Sequence, residues 1–134
     1  MYVELEGALL GPGGAVTRDA DGGFTLLGVR ALEACARAGV LVVPVSNRAR
    51  TEVEATARVL GLSDFVFDAG FVLDGEEHAG AVPEHARARG LAREECLAVS
   101  AQAGLADVVA KEWVTADRGP GVYEAVITTL AESR

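Results

Sequence analysis

The sequence predicts an α/β fold with a doubly wound, Rossmann-like parallel sheet in three α/β/α layers. Two kinds of stretch carry that expectation. Val40-Leu41-Val42-Val43-Pro44-Val45 is a continuous, β-branched apolar run, the pattern of a parallel strand covered on both faces. On either side lie stretches with apolar residues at helical spacing, each closed by a glycine: Thr25–Ala38 before Gly39, and Thr51–Leu60 before Gly61. Strands that alternate with helices in this way wind helices over both faces of a sheet. Residues 1–134 read as one domain, long enough to bury a core.

The elements follow in order. Tyr2-Val3-Glu4-Leu5-Glu6-Gly7 alternates apolar and acidic residues and stops at a glycine, a short strand that ends in a turn. It sets Glu4 and Glu6 side by side at the strand's C-terminal end, where open α/β sheets bind ligands. Two carboxylates there suit a metal site, or a nucleophile with its acid/base partner. The plainer reading is a strand with one solvated acidic face. Gly11–Gly23 is a glycine-rich loop, longer than most connections. After the second strand and helix, Phe65-Val66-Phe67 forms a third strand, stopped by Asp68-Ala69-Gly70. Phe71–Val82 is a small hairpin around Asp74-Gly75, a tight-turn pair. Pro83 opens a helix that runs to Arg89 and stops at Gly90. Cys96–Val99 is the fourth strand, Gln102–Leu105 leaves room for barely one turn, and Asp107–Ala110 is the fifth, with Trp113–Thr115 as a short extension. Gly121–Ala131 closes the chain as a helix.

Composition narrows the partners. The net charge of −8 argues against nucleic acid or an anionic membrane surface. No apolar run approaches the roughly 18 residues of a membrane span, and no basic segment precedes an apolar core at the start, so a cytoplasmic location is expected. Cys35 and Cys96 fall in apolar elements and read as core residues rather than a disulfide or metal pair. With His78 and His85 as the only histidines, there is little material for a histidine metal site.

The parallel strands bring one set of ends to a common rim: Glu4 and Glu6, then Ser46, Asp68 and Ser100, with Lys111 beyond the fifth strand. With these residues in place, the chain resembles the haloacid-dehalogenase-like (HAD) superfamily, and within it the Cof-type sugar-phosphate phosphatases. That family opens with Asp-x-Asp-Gly-Thr-Leu-Leu; here Glu4-Leu5-Glu6-Gly7-Ala8-Leu9-Leu10 has the same spacing. Val45-Ser46-Asn47-Arg48 resembles its second motif, and Phe67-Asp68-Ala69-Gly70 the turn after its third strand. Arg89–Val99 resembles the approach to motif IV, and Gly121–Val126 the closing helix. The resemblance implies a HAD-like sheet of order 5-4-1-2-3 with the Glu4 strand central, a Mg²⁺ site and a phosphorylated small molecule as ligand. It implies that Glu4 and Glu6 are the catalytic and metal residues, and that Ser46, Asn47 and Arg48 contact substrate.

The departures from the family pattern bear on activity. Glu4 stands where the family has its nucleophilic Asp, and Glu6 where it has its acid/base Asp. A carboxylate moved by about 1 Å can cost about 100-fold in rate. The motif III lysine is missing, since Lys111 is the sole lysine; Arg87 and Arg89 are the candidates to replace it. The stretch Ser100-Ala101-Gln102-Ala103-Gly104-Leu105 carries no acid where motif IV holds Mg²⁺, and Asp107 lies just beyond. Only Phe71–Val82 occupies the place of a cap domain. The expectation is a capless HAD-like domain with weak or absent Mg²⁺ binding and little phosphatase activity. In it, phosphate is held weakly by Ser46 and amides at the start of the second helix. Two alternatives stay open: an active phosphatase that uses Glu4 and Glu6, and a receiver-like module that accepts a phosphoryl group on Asp68. Self-association through the hairpin, by way of Phe71 and Leu73, is also expected.

Overall fold

The structure, a computed structural model, describes residues 1–105, 107–115 and 117–132. Its strands are β1 (Tyr2–Glu4), β2 (Val43–Val45), β3 (Phe65–Val66), β4 (Gly70–Leu73), β5 (Glu76–Ala79), β6 (Leu97–Ser100) and β7 (Lys111–Val114). Its helices are α1 (Leu27–Arg37), α2 (Arg50–Val59), α3 (Val82–Arg89) and α4 (Pro120–Glu132). They form one seven-stranded sheet, ordered β5-β4-β3-β2-β1-β6-β7. The pairs from β3 to β7 are parallel, and β4 and β5 join antiparallel at one edge. The parallel part has the expected order, with β1 at its centre.

Alternation along the strands divides the core in two. Val3, Phe65, Val72, Leu97 and Val99 face α1, α2 and α4. Tyr2, Val66, Phe71 and Ala98 face the other way, toward Val82 and Ala86 of α3 and toward Val109. One face thus carries three helices and the other carries α3, an uneven form of the expected three layers. Both cysteines are buried and free. Among the described residues, no helix is long and apolar enough to cross a membrane.

The hairpin turn takes positive φ at both central residues, Asp74 (51°) and Gly75 (87°). That is the backbone an Asp-Gly pair favours, and it matches the twist of the flanking strands. Phe71 is buried against the core beneath α3, so the uncovered phenylalanine that suggested self-association through the hairpin is absent.

Three expectations need correction. The fifth strand is not Asp107–Ala110 but Lys111–Val114, in register with β6 from Leu97 to Ser100. Val108 and Val109 instead turn back on Leu105, whose carbonyl accepts both their N–H groups at 2.9 and 3.0 Å. Val109 then plugs the α3 face of the core. Lys111 therefore opens its strand and lies at the opposite rim from Glu4, ion-paired with Glu132. Arg89, a candidate stand-in for the missing lysine, instead pairs with Asp74 at the hairpin turn, its Nη1 3.0 Å from the carboxylate.

Candidate functional site

β1 ends at Glu4 and the chain turns at once. The Leu9 N–H donates to the Glu4 carbonyl at 3.1 Å, and the Leu10 N–H to the Leu5 carbonyl at 2.9 Å. Gly7 passes against the Glu4 carboxylate with φ of 106°, and a Cβ there would lie 2.9 Å from Glu4 Oε1. A side chain at this position would meet both strain and a clash. The glycine of Glu-x-Glu-Gly is thus required by the path of the turn.

Both acidic side chains are engaged with neighbouring loops. Glu4 Oε1 accepts the Ala101 N–H at 3.2 Å, which ties the end of β1 to the loop after β6. Glu6 Oε1 accepts the Ser46 hydroxyl at 2.9 Å and lies 3.0 Å from Arg48 Nε, which ties the same turn to the loop after β2. Ser46 is buried, and its Oγ also accepts the Arg48 N–H at 3.2 Å, so that amide is taken. Arg48 reaches on to Glu52 Oε2 at 3.5 Å, and its carbonyl accepts the Asp68 N–H at 3.0 Å. The loop after β6 is held a second time: Glu112 Oε1 accepts the N–H groups of Gly104 and Leu105. The Ser100 hydroxyl donates within its own loop to the Gln102 carbonyl.

Between these loops lies a cleft of about 470 Å³, lined by Glu4, Glu6, Ser46, Asn47 and Asp68 from the strand ends. Its other lining residues include Phe67, Ala81, Val82, Pro83 and Leu105. The structure therefore brings together Glu4, Glu6, Ser46, Asn47 and Asp68, with Arg48 joined through Glu6. It leaves Lys111 at the far rim. Asp68, the acceptor in the receiver-like alternative, therefore has no lysine beside it at this rim among the described residues.

The carboxylates that a divalent ion could use at this rim are those of Glu4, Glu6 and Asp68. Mg²⁺ takes near-octahedral oxygen ligands through carboxylates and water. Among the described residues no group of three or more His, Cys, Asp or Glu is placed to hold a metal. One Glu6 oxygen already takes two donors, and the loop after β6 supplies amides rather than carboxylates to this rim.

Away from the cleft lies a second polar cluster that the sequence pattern does not signal. Tyr2 Oη and His85 Nδ1 are 2.8 Å apart, and His85 Nε2 is 2.8 Å from Asp64 Oδ2. Asp64 Oδ1 accepts the Asp74 N–H at 3.3 Å, and Arg89 Nε lies 3.7 Å from Asp64 Oδ2. A proton on Nε2 satisfies every group at once: His85 donates to Asp64 and accepts from Tyr2. Burial, followed by the nearby Cys96 and Asp64, holds the Tyr2 hydroxyl well above the usual tyrosine range.

No protein-family model matches the chain, and a search of curated sequences returns no match. Solved structures do match. Deoxy-D-mannose-octulosonate 8-phosphate phosphatase of Haemophilus influenzae, in a cobalt-bound form, superposes with a TM-score of 0.58 at 13% identity, over 98% of this chain and 86% of the other. The corresponding phosphatase of Moraxella catarrhalis, in complex with magnesium, phosphate and its octulosonate, gives 0.55 at 15% identity over 97% and 84%. A Streptomyces avermitilis protein assigned to the HAD hydrolase family gives 0.55 at 13% identity over 95% and 86%. At these identities the likeness establishes the fold, which is HAD-like. The high coverage on both sides means that none of the three carries a large domain inserted relative to this chain.

Proposed function

We propose that this chain is a phosphatase relative of the HAD superfamily whose cleft binds a phosphorylated small molecule and turns it over weakly or not at all. In this reading Glu4 and Glu6 hold the nucleophile and acid/base positions, and Ser46, Asn47 and Arg48 contact the phosphoryl group. The observation that carries it is the engagement of both acids: Glu4 with the Ala101 amide, and Glu6 with Ser46 and Arg48. Each acid commits its Oε1 to these contacts, and the extra methylene of Glu moves its oxygens about 1 Å from where an Asp would present them, a shift that can cost about 100-fold in rate. Here the longer Glu side chains serve as ties between rim loops. Mg²⁺ binding is weak in this reading, because among the described residues no three acidic, histidine or cysteine side chains gather to hold an ion. The Cof-type branch and a cytoplasmic location belong to the same reading.

The test is hydrolysis of p-nitrophenyl phosphate with Mg²⁺ by the unmodified chain and by Glu4→Ala. Turnover near background in both is expected. Robust turnover that Glu4→Ala abolishes would establish instead an active phosphatase built on Glu4 and Glu6.

A further inference from the structure

The cleft beside Glu4 has two unlike sides. Its polar side chains, Glu4, Glu6, Ser46, Asn47 and Asp68, all come from the ends of β1, β2 and β3. The apolar lining comes from Ala81, Val82 and Pro83 at the entry to α3, from Leu105 in the loop after β6, and from Phe67 next to Asp68. None of these five can donate or accept a hydrogen bond through its side chain. Some of their backbone groups are taken as well. The Ala81 N–H donates to Glu84 Oε1 at 3.0 Å, and the Ala81 carbonyl accepts the His85 N–H at 3.0 Å. Pro83 has no N–H, and Glu112 holds that of Leu105.

We propose that the cleft selects phosphate monoesters of small apolar or aryl alcohols over sugar phosphates. The phosphoryl end lies toward Ser46 and Asn47, and the organic part lies against Pro83 and Leu105. This rests on the reading of the cleft as a phosphate-ester site. A sugar placed there turns hydroxyls toward side chains that offer no partner, and each hydroxyl that loses water without gaining a hydrogen bond is disfavoured. An aryl ring in the same place gains by leaving water. The volume of about 470 Å³ falls in the range that encloses one small ligand. Two of these residues, Ala81 and Val82, belong to the Phe71–Val82 segment that the resemblance sets in the place of a cap domain.

The experiment is an NMR titration of the ¹⁵N-labelled chain with phenyl phosphate, glucose 6-phosphate and inorganic phosphate. Phenyl phosphate is expected to bind about tenfold more tightly than glucose 6-phosphate, with shifts at both Ser46 and Leu105. Leu105→Asn should remove most of that preference. Pro83→Ser serves the same purpose if the first variant loses its dispersed spectrum. Glucose 6-phosphate binding as tightly as phenyl phosphate, or more tightly, overturns the proposal. If phenyl phosphate has no advantage over inorganic phosphate while both shift Ser46 and Asn47, the apolar selectivity fails and the phosphate site stands. If none of the three shifts these residues at millimolar concentration, the phosphate-site reading fails and this inference with it.

Discussion

Tyr2 and Glu4 stand two residues apart on β1, and strand alternation sends both toward the α3 side of the sheet. Each enters a polar cluster, but the surroundings differ. Tyr2, His85 and Asp64 are each no more than 2% exposed. At the rim, the Glu6 and Arg48 side chains are 36% and 58% exposed. Water can replace any partner lost at the rim, whereas in the buried cluster it cannot. The same contact distances therefore carry different energies: exposed ion pairs contribute about 0–1 kcal/mol, and a buried hydrogen bond to a carboxylate contributes about 1.5–3 kcal/mol. The two clusters also share α3, whose first turn lines the cleft while His85, further along it, meets Tyr2. The buried cluster holds the helix on the sheet, and the rim cluster uses what that placement leaves open.

The largest effect expected from this contrast is that of His85→Ala. It strips Asp64 of its close partner and the Tyr2 hydroxyl of its acceptor, and Arg89 at 3.7 Å compensates only in part. A loss of about 2–4 kcal/mol in urea denaturation is expected, against about 0–1 kcal/mol for Arg48→Ala at the rim. Equal losses in the two variants would remove the distinction between the clusters.

Tyr2→Phe sharpens it. At neutral pH the variant leaves His85 Nδ1 without a donor, at a cost of about 1–3 kcal/mol. The pH dependence separates the tyrosine from its neighbours. Burial raises the Tyr2 pKa in the folded chain, while the unfolded chain ionises near the ordinary value of about 10. Above that pH the unfolded state has lost the proton and the folded state keeps it. Stability from this group is thus fully present below about pH 10 and falls by about 1.4 kcal/mol per pH unit until the folded tyrosine also ionises. The buried thiols of Cys35 and Cys96 are raised as well and act in the same direction. The measurement is therefore the difference in slope between the unmodified chain and Tyr2→Phe. Identical slopes above pH 10 would mean that the Tyr2 hydroxyl is not held protonated by its surroundings.

The sheet was legible because its evidence is local: β-branched runs, glycine stops and an Asp-Gly turn each report their own conformation. The rim acids were legible for the same reason, since strand ends follow from strands. The fifth strand is not legible, because the apolar residues 108–110 serve another purpose: Val109 fills the space beside α3 and pairs with no strand. The buried cluster was illegible because its partners lie 83 and 21 residues apart. The one available signal was Asp64, an acid immediately before an apolar strand, together with a tyrosine on the inward phase of β1. Neither points to His85 until α3 is placed. The apolar wall of the cleft was hidden in the same way, because Ala81, Pro83 and Leu105 come together only through the tertiary fold.

The smallest effect expected is at Glu4, and it bears most directly on what the rim is for. In the structure Glu4 Oε1 acts as an acceptor for the Ala101 N–H and packs against Gly7. An acceptor role needs an oxygen at that place but no charge. Glu4→Gln keeps the oxygen and the length of the side chain, so its stability should stay within about 0.5 kcal/mol of the unmodified chain, as is usual for partly exposed sites. Glu4→Ala removes the acceptor and should cost about 0.5–1.5 kcal/mol. It should also speed hydrogen exchange at the Ala101 amide, which Glu4→Gln leaves protected. A nucleophile gives the opposite pattern: Glu4→Gln would abolish turnover as completely as Glu4→Ala, because the amide cannot attack phosphorus. Protection at Ala101 in the glutamine variant, with turnover at background in all three proteins, would identify Glu4 as a tie between β1 and the β6 loop. Loss of measurable turnover in Glu4→Gln with Ala101 still protected would show that the same oxygen also does chemistry, and the proposed loss of activity would fail.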